Sequence, residues 1–146
     1  MSEENKALIR RWVEEVVNAG ILTVADEIMA PDYAFYVASR PTPMAREGHK
    51  HLIATFLDAF PDLRRNIEEM VGEGEKVVER WTVTGTHQGD FQGLAPTGRS
   101  ISYAGITIWR IGGGRIVENR IVQDFMGLMQ QLGAERIPTQ TPSHRL

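Results

Sequence analysis

Two strand-like runs, residues 100–111 and 115–123, are joined by Gly112-Gly113-Gly114, and this pairing constrains the chain more than any other feature. The runs are rich in Ile, Val, Thr and Trp, which suit a half-buried pleated surface. The glycines between them supply the positive φ angles of a tight hairpin. Residues 76–87 read the same way, and they follow residues 63–71 across a Gly72-Glu73-Gly74-Glu75 turn. Four consecutive strands are therefore expected in the second half of the chain.

The first sixty residues have a different period. Ser2 is placed to cap a first helix in which Leu8, Ile9, Trp12, Val13, Val16 and Val17 recur at helical spacing, with Asn18-Ala19-Gly20 as its stop. Thr23 is the expected cap of a short second helix ending before Pro31. Residues 32–40 read as extended and aromatic. A third helix over 47–60 carries the stripe Leu52, Ile53, Phe56, Leu57 and Phe60 and stops at Pro61. A last short helix covers 125–132. Helices first and consecutive strands after describe an α+β domain, a bent antiparallel sheet with helices packed on its concave face and a pocket at the open end. Residues 1–146 form one domain by length. The stretch 134–146, with two prolines and little apolar content, is expected to be a loose tail.

Composition narrows the function classes. Sixteen Lys+Arg stand against nineteen Asp+Glu, and no basic stripe stands out, so nucleic acid is not an expected partner. The absence of cysteine removes disulfides, thiolate catalysis and Cys-ligated zinc. No apolar run approaches the ~18 residues of a membrane helix, and nothing near the start reads as a signal peptide, so the expected location is cytoplasmic with no membrane association. His49 and His51 are two apart on the third helix and do not face each other, and no HExxH occurs, so no metal site is expected. The run 93–100, GLAPTGRS, approaches a phosphate loop but is followed by a strand, where a phosphate loop needs a helix.

Particular spacings carry a family likeness. Thr86, His87, Gly89, Phe91 and Gly93 form one loop, and Pro96-Thr97-Gly98 form a turn. Gly114-Arg115-Ile116 open a strand, and Asp124 precedes a Gln131-Leu132-Gly133 ending; Phe60-Pro61-Asp62 form a further turn. With these, roughly residues 5–133 resemble the SnoaL-like polyketide cyclases, or ester cyclases, of the NTF2-like (ketosteroid isomerase-like) superfamily. The resemblance implies an NTF2-like cone, a homodimer, a small-molecule substrate and no cofactor. It further implies that Asp124 is a general acid/base for intramolecular aldol ring closure of a small carbonyl or ester substrate. A double-bond isomerase, a hydrolase and a non-catalytic binding module on the same scaffold are the alternatives.

The residues themselves leave roles open. Asp124, just before a helix, reads equally as an ordinary N-cap. On the last strand Glu118, Arg120, Val122 and Asp124 share one face, and Val117, Asn119, Ile121 and Gln123 share the other. The expectation is that the first face looks inward, with Arg120 toward the ligand, although many relatives carry a bulky residue at that position. His87 is a substrate contact or a brace for the glycine-rich loop. His51 is a candidate to reach the pocket. Trp12, Tyr33, Phe56 and Trp109 are the aromatic candidates for its lining.

Overall fold

Alternation of buried and exposed residues along each late strand builds the sheet. In the computed structural model, residues 2–134 are described, and the expected loose tail lies outside them apart from Ala134. The elements run α1 (Ser2–Arg11, continued as a π-helical segment over Trp12–Asn18), α2 (Val24–Ile28), β1 (Met29–Val37), β2 (Met44–Ala45), α3 (Arg46–Ala59), β3 (Arg64–Glu73), β4 (Lys76–Thr86), β5 (Ser100–Gly112), β6 (Arg115–Gln123) and α4 (Phe125–Gln131). They form one bent six-stranded sheet in the order β2-β1-β6-β5-β4-β3 with helices against it. The α+β architecture expected from sequence is the observed one.

The sheet is mixed where antiparallel pairing throughout is expected. β1 runs parallel to β6, pairing Phe35 with Asn119 and Val37 with Ile121. No hairpin joins these two strands, so no turn forces them antiparallel. Pro31, which has no N–H for a ladder, lies where the β1–β6 register shifts between Met29 and Ala34. The β5–β6 hairpin closes through Gly113 (φ 59°) and Gly114 (φ 77°), as two positive φ angles in succession require.

Two expected caps are absent. α1 already includes Ser2, whose hydroxyl donates to the Gly72 carbonyl (3.4 Å). Thr23 makes no side-chain cap bond to α2. After Arg11 the first helix widens: Ala19 N–H reaches the Glu14 carbonyl at 2.9 Å, one residue beyond an α-turn. Trp12, Val13, Val16 and Val17 are all buried along this segment, so the wider turn keeps two adjacent pairs on the inner side. Segments of this kind frequently mark functional sites. At its end the Asn18 side chain grips the edge strand β3, accepting from Arg65 N–H (2.7 Å) and donating to the Arg65 carbonyl (3.0 Å).

The inner face of β4 carries Val77, Glu79, Trp81 and Val83, and that of β5 carries Ile101, Tyr103, Thr107, Trp109 and Ile111, all buried. Gly105 interrupts this row because a Cβ there would run into the Trp81 ring. The outer face leaves Val78, Ile106, Ile108 and Val122 exposed.

Candidate functional site

Between α3 and the inner face of the sheet lies a cleft of about 80 Å³. Its apolar wall includes Trp12, Phe35, Ile53, Phe56 and Trp81, and its polar groups are His49, Arg65, Tyr103 and Gln123. A mostly apolar concavity with a few convergent polar groups is the usual form of a small-molecule site. Among the described residues the cleft wall contains no carboxylate.

Arg65 is the buried cation beside it. Its Nε donates to Glu79 Oε2 (3.0 Å), and its Nη2 donates to Glu79 Oε1 (2.7 Å) and to Thr107 Oγ1 (3.2 Å). Its guanidinium lies 4.3 Å from the centre of the Trp81 ring and 5.4 Å from that of Trp12. Trp81 Nε1 donates to Thr107 (3.0 Å) and Trp109 Nε1 to Glu79 (2.9 Å). Paired in both directions, the ions place no net charge beside the cleft.

His49 was brought here by helix geometry. It precedes Ile53 by four residues and Phe56 by seven, so it shares their inward stripe. It is buried, stacks on Phe35 with ring centres 3.8 Å apart, and meets Tyr33 Oη at 2.7 Å through Nδ1. Burial, with Arg65 nearby, lowers its pKa to about 3, so the ring is neutral. Burial also raises the Tyr103 phenol above the ordinary tyrosine value and Tyr33 well above it, so both phenols stay protonated.

The expected site residues distribute as follows. Trp12 and Phe56 line the cleft. Tyr33 stands behind His49 and holds it. Trp109 forms a second layer, fully buried against Trp12 with ring centres 4.8 Å apart. His51 is exposed, two positions round α3 from the inward stripe, and His49 occupies the place expected for it. His87 is fully buried against Phe60, and its Nδ1 accepts from Thr97 N–H at 3.1 Å, so it braces the 88–99 loop.

The inward and outward faces of β6 are the reverse of those expected. Asn119 and Ile121 are buried and Gln123 lines the cleft, whereas Arg120 and Val122 are exposed. Arg120 donates to Glu118 (2.6 Å) and its guanidinium lies 3.9 Å from the centre of the Tyr36 ring, on the outer side of the sheet. Asp124 is exposed and caps α4, accepting from Gly127 N–H at 2.9 Å. The reason lies in the neighbours: the parallel pairing brings Phe35 beside Asn119, and β5 brings the buried Trp109 to its other side. Sequence alone shows no cleanly apolar face on β6, and α3 carried the missed signal, the i, i+4, i+7 spacing of His49, Ile53 and Phe56.

Comparison with known proteins agrees with this architecture. The family profile of SnoaL-like polyketide cyclases matches residues 7–132. The chain belongs to the SnoaL-like polyketide cyclase family. Among solved structures it is similar to AclR, a proposed hydroxylase of Streptomyces galilaeus, at 31% identity and a TM-score of 0.83, covering 91% of this chain and 98% of that one. It is similar to IdmH, a proposed polyketide cyclase of Streptomyces antibioticus, at 29% identity and 0.79, covering 89% and 99%. A proposed SnoaL-like polyketide cyclase of Jannaschia gives 25% identity and 0.84, covering 92% and 95%. No curated protein sequence matches the chain. Among the described residues no helix is long and apolar enough to cross a membrane, and no group of three or more His, Asp or Glu is arranged to hold a metal ion.

Proposed function

We propose that the chain is a cofactor-free cyclase that closes a ring by intramolecular aldol addition in a small carbonyl or ester substrate. The observation that carries this reading is the apolar cleft with buried, neutral hydrogen-bonding groups, in a member of a cyclase family. Asp124 takes a proton from carbon next to a carbonyl, the resulting enolate attacks a second carbonyl, and the same acid returns the proton to the new alkoxide. Asp124 follows Gln123, which lines the cleft, and its hydrogen bond to Gly127 is at an exposed helix end. Releasing a cap of this kind costs about 1 kcal/mol, little enough for the carboxylate to serve in both positions.

Asp124→Asn tests the assignment. Asn caps about as well as Asp, so stability should change by less than about 1 kcal/mol. Loss of the base should lower turnover by about 10². Unchanged turnover with a substrate that the wild type cyclises would make Asp124 structural. Activity should also survive a chelator in buffer without nucleotide.

The likeness to AclR motivates a second reading, hydroxylation of a related substrate with dioxygen as the oxygen donor and a two-electron reductant, the second oxygen leaving as water. Product mass separates the two: aldol closure conserves the atoms of the substrate, or loses water afterwards, whereas hydroxylation adds an oxygen.

Two copies pair through the outer face of the sheet, where Val78, Ile106, Ile108 and Val122 are exposed together. Such a row of apolar side chains is costly to leave in water. Light scattering should give about twice the 16.4 kDa chain mass, and Ile108→Glu should shift it toward one chain. A wild-type mass of one chain at tens of micromolar would refute the pairing.

A further inference from the structure

Trp12 lines the cleft, is 2% exposed, and has no acceptor for its indole N–H among the described residues. Buried donors are rarely left unpaired without a functional reason. The His49 ring lies beside it, with centroids 5.8 Å apart, and lines the same cleft.

The position of the His49 proton follows from its neighbours. Tyr33 Oη lies 2.7 Å from His49 Nδ1, and the buried phenol has no other hydrogen-bond acceptor among the described residues. The phenol proton then goes to His49 Nδ1. A neutral imidazole that accepts at Nδ1 carries its own proton at Nε2. The Tyr33–His49 hydrogen bond therefore fixes the ring as a donor on its other edge.

We propose that Trp12 Nε1–H and His49 Nε2–H form a pair of neutral donors that binds the carbonyl oxygen of an uncharged ligand in the cleft. The Arg65–Glu79 pair beside them is internally matched, so an anion finds no spare counter-charge there. During a reaction the same pair would stabilise negative charge developing on that oxygen, being held in place beforehand in a site of low dielectric. The inference shares with the cyclase reading the cleft as ligand site, and it requires no particular reaction.

Nitrogen-15 NMR of the full chain tests it, with cyclopentanone as the probe and methylenecyclopentane as its hydrocarbon counterpart. Long-range proton–nitrogen spectra should show His49 protonated at Nε2 and bare at Nδ1. Cyclopentanone should move the Trp12 indole N–H and His49 Nε2 signals, and the hydrocarbon should move neither. The indole signal is assigned by its loss in Trp12→Phe, which should weaken the ketone about tenfold and leave the hydrocarbon unaffected. A proton on Nδ1 would overturn the proposal. So would a ketone that does not bind, or one that saturates the cleft without moving the Trp12 signal. Ketone binding as described without ring closure of any substrate would count against the cyclase reading alone. Turnover with both N–H groups indifferent to the ketone would count against the donor pair alone.

Discussion

Glu79→Ala is expected to destabilise the protein by about 3–5 kcal/mol, the range for breaking a buried ion pair from one side. The carboxylate is fully buried and accepts from Arg65 twice and from Trp109 once. Its removal leaves a guanidinium with no counter-charge and an indole N–H with no acceptor. Whole-domain stabilities are about 5–15 kcal/mol, so the loss is a large share of the total. Replacing both partners, Arg65→Met with Glu79→Leu, should cost much less, because it removes the desolvated charges together. Urea titration of the three proteins measures this. A single-variant loss below about 1 kcal/mol would show that the carboxylate is not in the buried network.

A fall in stability on mild acidification is the second large effect expected, and it comes from His49. Its folded pKa of about 3 lies below the ordinary value of 6.5, through burial first and Arg65 second. The unfolded chain therefore binds a proton near pH 6.5 that the folded chain refuses. Stability is unaffected by this group above that pH and falls as pH drops toward 3, at about 1.4 kcal/mol per unit. Between pH 7 and pH 5 the loss from this one ring is about 2 kcal/mol. Tyr33 and Tyr103, which lie near it, do not titrate in that window. His49→Phe removes the term, so its stability should change less than that of the wild type by about that amount over the same interval. Equal pH slopes for the two proteins would mean that His49 takes up its proton without unfolding.

Much of this molecule was legible as sequence, for local reasons. The β5–β6 hairpin was readable because successive glycines and flanking β-branched residues leave one solution, and α3 because its apolar stripe has a single period. The loop–turn–strand spacings from Thr86 to Gly133 identified the family. Orientation was not legible where it depended on distant partners. The inner face of β6 is set by β1 and β5 on either side of Asn119, and neither its own Val117 and Ile121 nor Val122 decides between the faces. The same cause displaced Arg120 from the expected pocket to the outer side of the sheet. Asp124 read as both cap and base because one aspartate before a helix serves either purpose, and its observed hydrogen bond is the cap. In sequence His49 and His51 stand two apart and make a poor metal pair. The i, i+4, i+7 relation of His49 to Ile53 and Phe56 was visible, but a buried histidine needs a phenol such as Tyr33, from another element, to make sense.

The parallel join between β1 and β6 also bears on how the protein is made. β1 ends at Val37 and its partner begins at Arg115, so a chain growing from its N-terminus carries an unpaired strand edge through most of its synthesis. The hairpins of β3, β4 and β5 can form as they emerge, but the sheet cannot be completed until the last strand has left the ribosome. Pairing across so long a loop is entropically slow, and open edges invite association with other chains. Fragments ending after β5 would keep both β1 and β5 open, so premature termination should yield aggregates and not a smaller folded domain.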